Sequence, residues 1–195
     1  MVRRNVRAAG CAIERVHAVR NPCAAAVNSF SDMIRGMSGS STPDLVIRHA
    51  TTADEATLSQ LAMRLATFDL PPWRTPGEIA RADAGEMIQS VRAGQPDNEV
   101  FVAERDGLAV GCLHILSTTD FFARRHAHIS VIATSEAAEG TGVGRALMAH
   151  AEDWTRQRQL SLLTLHVFAA NTRARRFYEQ AGMSPEFLKY AKAVL

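Results

Sequence analysis

Three glycines alternate within five residues, Gly140, Gly142 and Gly144, and no other feature of this chain restricts its fold so strongly. The run His128 to Ala133 before them reads as a strand. After them, Arg145 to Arg158 carries Leu147, Ala151 and Trp154 at helical spacing, so the glycines occupy a strand-to-helix turn. Losing three β-carbons lets successive backbone N–H groups approach an anion at the positive end of a helix. A phosphate suits such a turn, and a plain tight turn is the competing reading. The spacing disfavours two phosphate folds. A dinucleotide fingerprint needs Gly-x-Gly-x-x-Gly, but Arg145 stands three residues after Gly142, and a P-loop needs Gly-Lys-Ser/Thr, which is absent.

Strand and helix patterns alternate around this turn. Leu45 to Arg48 reads as a short strand. Thr52-Ala53-Asp54-Glu55 then opens a helix with Leu58, Leu61, Ala62 and Leu65 on one face, which must stop before Pro71-Pro72. Residues 77 to 93 form a second helix, ended by Gly94 and Pro96, and Phe68 to Pro76 is a stiff aromatic loop between the two. Val100–Glu104 and Ala109–Leu116 read as strands joined through Asp106-Gly107, a dipeptide suited to the positive φ of a hairpin turn. Leu162 to Phe168 is a further strand, Asn171 or Thr172 caps a helix that ends at Gly182, and Phe187 to Val194 is expected to close the sheet. The fold class is α/β.

The chain's 195 residues, 47% hydrophobic and 22% charged, suit one folded domain with a tail. Positive charge is confined to the first segment: six arginines (3, 4, 7, 15, 20, 35) stand against Glu14 and Asp32 before Pro43, a net of +4. From Asp44 onward the net is −2, from 16 basic and 18 acidic side chains, which argues against a nucleic-acid footprint. Residues 1–43 end in Gly36-Met37-Ser38-Gly39-Ser40-Ser41-Thr42-Pro43 and read as an extension and linker, with a transit-like leader, a packed arm and a later true start as open alternatives. Residues 44–195 are the domain. No uncharged apolar run approaches the roughly 18 residues that span a bilayer, so no membrane partner is expected. Cys11, Cys23 and Cys112 show no Cys-x-x-Cys spacing, which predicts a reducing, cytoplasmic setting without a structural metal. The 20 arginines against two lysines resemble the product of a GC-rich bacterial genome.

Glu139-Gly140-Thr141-Gly142-Val143-Gly144 resembles the acetyl-coenzyme A motif Gln/Arg-x-x-Gly-x-Gly/Ala of the GCN5-related N-acetyltransferases, departing from it at the first position. Val131-Ile132-Ala133-Thr134-Ser135-Glu136 is similar to the family's fourth strand. Asn171 to Met183 resembles its "Asn-x-x-Ala-x-x-x-Tyr-Glu-x-x-Gly-Phe" helix. The resemblance covers about residues 45 to 195. It implies a mostly antiparallel sheet flanked by helices, with splayed fourth and fifth strands. The pantetheine arm would lie in that gap, on the backbone of Val131, Ile132 and Ala133. An amide of this stretch would hold the thioester carbonyl, and the amides of Gly140, Thr141, Gly142, Val143, Gly144 and Arg145 would cradle the pyrophosphate. Glu139 replaces a donor with a carboxylate, so its side chain must turn away or pair with Arg145 or an arginine at 173 to 176.

The resemblance also assigns roles. Tyr178 would protonate the departing thiolate, against a reading as a core aromatic beside Phe177. Asn171 would touch the cofactor arm while capping its helix, and Ala174 would line the arm. His128 is the candidate base that takes a proton from the amine, against a structural histidine. Glu104 and His114 are not preferred, and Cys112 reads as a small buried hydrophobe. Phe68 and Trp73 would line the acceptor pocket, with Trp73 offering a cation-π face, and Phe121, Phe122, Arg124, Arg125 and His126 would form an opposite wall. The expected activity is transfer of acetyl from acetyl-coenzyme A to a primary amine by direct attack. The acceptor would be a small molecule, an exposed N-terminus or a lysine. A silent coenzyme A-binding module of the same fold is the alternative, and a nucleotide-binding regulator is disfavoured by the glycine spacing. The sequence does not show oligomeric state, though a homodimer is the commonest soluble assembly.

Overall fold

The computed structural model describes residues 45–194, so the Arg-rich segment 1–43, with Cys11 and Cys23, lies outside the described residues. Five strands form one sheet in chain order: β1 (Leu45–His49), β2 (Asn98–Arg105), β3 (Leu108–Thr119), β4 (Arg125–Thr134) and β5 (Leu163–Leu165). The first four pair antiparallel, and β5 runs parallel to β4. Asp106 and Gly107 both take positive φ, 52° and 76°, so the β2–β3 link is the tight turn that the Asp-Gly pair predicts.

Four helices flank this sheet: α1 (Glu55–Ala62), α2 (Pro76–Ala93), α3 (Val143–Gln157) and α4 (Thr172–Gln180). Their ends follow local chemistry. The Thr75 hydroxyl caps α2 by accepting from the Glu78 N–H at 3.3 Å, Pro76 fills the first turn, and Gly94 ends the helix at φ 59°. Leu58, Leu61 and Ala62 of α1 and Ala84 and Met87 of α2 bury against Val102, Cys112, Val131 and Ala133. On the other face, Val143, Leu147, Ala151 and Trp154 of α3 bury against Leu113, Ile115, Ala127 and Ile129.

Two local features decide how α3 and β4 sit. At Gly111 a β-carbon would lie 3.0 Å from both the Ala133 carbonyl oxygen and Val143 Cγ1, and 3.2 Å from Leu147 Cδ1. The start of α3 therefore rests directly on β3. In β4, His114 pairs with Val131 and Ile115 with Ile129, so Ser130 is an extra residue in the ladder. That bulge switches the alternation: Ile129 faces α3, whereas Val131 faces α1 and α2.

The expected strand at 162–168 is ordered as a ladder over Leu163–Leu165 alone, paired with Ala127–Ile129. β4 continues through Val131, Ile132 and Ala133 without a β5 partner, which is the splay expected of the fourth and fifth strands. The expectation of a last strand at Phe187–Val194 is overturned. Those residues carry no regular structure, and Phe187, Leu188, Tyr190 and Val194 are 64–90% exposed. The reason lies in β5, whose ladder spans three residues before turns from Phe168 and Ala170 start α4, leaving little extended edge to pair with. Among the described residues no helix is long and apolar enough to cross a membrane.

Candidate active site

β4 ends at Thr134, and a short 3₁₀ turn, Glu136–Ala138, carries the chain into the glycine loop. Gly140 and Gly142 take φ of 71° and 89°, in the left-handed region that side chains disfavour, and Gly142 is the N-cap of α3. The first helical bond is Ala146 N–H to the Gly142 carbonyl, at 3.0 Å. Among the described residues the N–H groups of Gly142, Val143, Gly144 and Arg145 have no partner within the chain. Thr141 is pinned: its hydroxyl donates to the Ala138 carbonyl at 2.7 Å and accepts from Arg105 Nη1 at 3.1 Å. Four free donors at the positive end of a helix of 15 residues, with no β-carbon on two of the four, fit a diphosphate. Gly144 has a second use, because a β-carbon there would stand 3.4 Å from the Phe177 ring, so its absence eases α4 onto α3.

Glu139 is paired with two arginines. Arg173 Nη2 and Arg64 Nη2 each donate to one of its carboxylate oxygens at 2.6 Å, and together, Arg173 foremost, they hold its pKa below the ordinary carboxylate value. The arginine at 173 was among the partners foreseen; Arg64, on the turn after α1, was not. Replacing Glu139 with glutamine removes an anion beside the phosphate site and frees both guanidinium groups. Glu139→Gln is therefore expected to tighten coenzyme A binding by about three- to tenfold in calorimetric titration.

Beyond the cradle, Val131 and Ala133 bury their side chains under α1 and α2, so toward the β4–β5 gap this stretch offers backbone. Asn171 Oδ1 accepts from Ala174 N–H at 3.0 Å and caps α4. Tyr178 lies beside Phe177, ring centroids 5.4 Å apart, and both pack against the core cluster that α3 shares with β3 and β4. Burial pushes its phenol up to about 12.

His128 sits where β4 and β5 still pair, and its Nδ1 lies 2.8 Å from Thr164 Oγ1. The Thr164 hydroxyl donates to the Ala127 carbonyl at 3.3 Å, which assigns the imidazole hydrogen to Nδ1 and leaves Nε2 with its lone pair. Burial foremost, then the neighbouring His166, His126 and His114, push its pKa down to about 4. The His166 ring lies 4.7 Å away. Phe68 meets Phe168, centroids 5.3 Å apart, which brings the α1–α2 loop against the segment following β5. Trp73 is 45% exposed in a turn closed by Arg74 N–H on the Pro71 carbonyl. Asp120 accepts from the Phe122 and Arg124 N–H groups and shapes the β3–β4 turn, while Phe121 and Phe122 stand exposed. Cys112 is fully buried, its thiol pushed up to about 12 by that burial, so it stays protonated and is no nucleophile.

The sequence reading passed over Asp83 and Glu86. Both lie on α2, and the Glu86 carboxylate accepts from Ser130 Oγ, the bulge residue, at 3.2 Å. Burial, and then Glu86, raise the Asp83 carboxyl to about 6. Their spacing with Ser90, three and then four residues, is a polar stripe beside the buried Ala84 and Met87, and that stripe was visible in the sequence.

Comparison with known proteins agrees with this geometry. The chain is similar in structure to a transcriptional regulator from Bacillus halodurans C-125, at 29% identity over 76% of this chain and 100% of that one, with a TM-score of 0.55. It shares its fold with glucosamine-6-phosphate N-acetyltransferase from Arabidopsis thaliana, at 17% identity, 77% and 98% coverage and a TM-score of 0.56. It also shares it with aminoglycoside N-acetyltransferase AAC(6')-Iy in complex with CoA, at 17% identity, 78% and 97% coverage and a TM-score of 0.58. No curated protein matches the sequence. The family model of the acetyltransferase (GNAT) family matches residues 61–183, and the chain belongs to that family.

Proposed function

We propose that residues 44–195 form an N-acetyltransferase domain that moves acetyl from acetyl-coenzyme A directly to a primary amine. The observation that carries this reading is the set of four unpartnered amides at residues 142–145, on the loop that follows the unpaired stretch of β4. Bound there, acetyl-coenzyme A supplies an acyl group activated as a thioester. The amides of residues 142–145 hold the anionic end, and the backbone of Val131–Ala133 holds the extended arm. An amide of that stretch donates to the carbonyl oxygen as it gains charge. His128 Nε2 accepts a proton from the attacking nitrogen, and the hydrogen bond of Nδ1 to Thr164 keeps the ring in the tautomer this needs. The Tyr178 hydroxyl donates a hydrogen bond to the departing sulfur.

Titration with acetyl-coenzyme A, followed by thermal unfolding and by amine-dependent thiol release, tests the reading. Binding raises apparent stability by about 2.7 kcal/mol at a hundredfold excess over Kd. Absence of binding, or binding with no amine ever acetylated, refutes it. The pH profile tests His128 separately. Its neutral form is the working form and persists down to its folded pKa, so kcat/KM loses its imidazole only as pH falls through about 4. An acid limb and a kcat/KM both unchanged in a folded His128→Gln would assign the base elsewhere.

A further inference from the structure

The face of α2 that meets β4 carries negative charge that no ion pair among the described residues neutralises. Asp83 and Glu86 stand one helical turn apart, and among the described residues neither forms an ion pair with an arginine, lysine or histidine. The groups near them on β3 and β4 are uncharged: the Ser130 hydroxyl, the Cys112 thiol and the buried His114 imidazole. Two carboxylates on a helix are ordinary by themselves. Here Glu86 borders a cleft of about 320 Å³ between α2, β2 and β3, lined also by Gln89, Ser90, Asn98, His114 and Leu116 among others.

His114 forms part of the wall of that cleft. His114 is 2% exposed, and its Nε2 lies 2.7 Å from Asn98 Oδ1 and 3.1 Å from Ser90 Oγ. Both contacts fall on one nitrogen. Ser90, His114 and Asn98 therefore do not form a nucleophile relay, which needs partners on opposite nitrogens. With the Asn98 amide oxygen accepting, the hydrogen sits on Nε2, and the buried Nδ1 is left as a lone pair with no partner. The cleft thus presents the Glu86 carboxylate and the amide groups of Gln89, Gln95 and Asn98, and its apolar contribution comes from Leu116 and Ala93. It also lies close to the proposed chemistry, because Leu116 pairs across the ladder with His128 and Ser130 follows His128 by two residues.

We propose that this cleft holds the far end of the amine acceptor and that the far end is a second ammonium, so the substrate class is an aliphatic diamine. The inference rests on the acetyl-transfer reading above. A carboxylate beside an ammonium favours its charged form, so the nitrogen at Glu86 stays protonated and serves as an anchor. The reacting nitrogen needs the opposite environment. Beside the neutral His128 it is desolvated with no anion to hold its proton, and Leu116 and Ala93 accommodate the methylenes between the two ends.

Butane-1,4-diamine and butylamine, offered to the full chain with acetyl-coenzyme A, separate the cases. Thiol release is expected to give the diamine a kcat/KM about tenfold or more above that of the monoamine, carried mainly by KM. In Glu86→Gln that ratio falls toward one. Equal use of the two amines by the unaltered chain, or a preference that survives Glu86→Gln, overturns the proposal. Calorimetry of the diamine against the chain loaded with coenzyme A keeps this inference apart from the transfer reading. Diamine binding that Glu86→Gln abolishes, with no acetyl transfer to any amine, upholds the cleft and sinks the transfer reading. No diamine binding and no diamine turnover sinks the cleft assignment. Glu86 is exposed, so the variant is expected to fold, and thermal unfolding checks that it does.

Discussion

Tyr178→Phe is expected to lower kcat by about 10- to 150-fold and to leave acetyl-coenzyme A affinity within about twofold. The size follows from the phenol's environment. Burial holds the hydroxyl at about 12, so it keeps its hydrogen at neutral pH and can offer it to the sulfur. Tyr178 then acts by a charge-assisted hydrogen bond to the leaving sulfur, an interaction of about 1.5–3 kcal/mol that is strongest when the charge develops. Phenylalanine keeps the ring against Phe177 and the buried core cluster, so packing survives. Steady-state kinetics beside calorimetry decide the matter. Unchanged kcat assigns Tyr178 to packing, and a fall in affinity as large as the fall in kcat assigns it to cofactor binding.

The second large effect is expected at Gly142. Its φ of 89° lies where a β-branched residue is strained by about 1–3 kcal/mol, and relief of that strain rotates the amides that open α3. Gly142→Val should weaken coenzyme A binding by about 10- to 100-fold and lower the ligand-free thermal midpoint. Gly144→Ala is the informative contrast. Its backbone is not left-handed, and its added carbon meets the edge of Phe177 at 3.4 Å, so the loss should be several-fold at most. Equal losses in the two variants would mean that filling the loop, and not its backbone conformation, is what matters.

The glycine loop was legible because the absence of a side chain is itself written in the sequence, and the same holds for Gly94, Gly107 and Gly182. Asn171 was legible as a cap because its type and place allow few other roles. Ser130 was not. The bulge it forms depends on a register with β3 that no local pattern encodes, and it decides that Ile129 and Val131 face opposite sides. Asp83 and Glu86 stood in view as a polar stripe, but which strand residues they meet depends on how α2 crosses the sheet. The segment 187–194 failed for a related reason. Alternation says which face a strand would have, and only an available partner edge makes it a strand. Phe68 was expected at the acceptor pocket from its loop alone. Its packing against Phe168 depends on a contact across about 100 residues of chain.

Gly111 touches no proposed ligand, yet it sets how far the first turn of α3 stands above the sheet. The four amides of the cradle belong to that turn and are fixed to one another by the helix itself, so they behave as one rigid body seated on β3. Any side chain at position 111 lifts the whole body. A change there cannot retune one phosphate contact while sparing the next; it scales the grip on every phosphate-bearing ligand together. Under the proposed function, selectivity among acyl donors would therefore vary in the gap between β4 and β5 without disturbing the anchor that all of them would share.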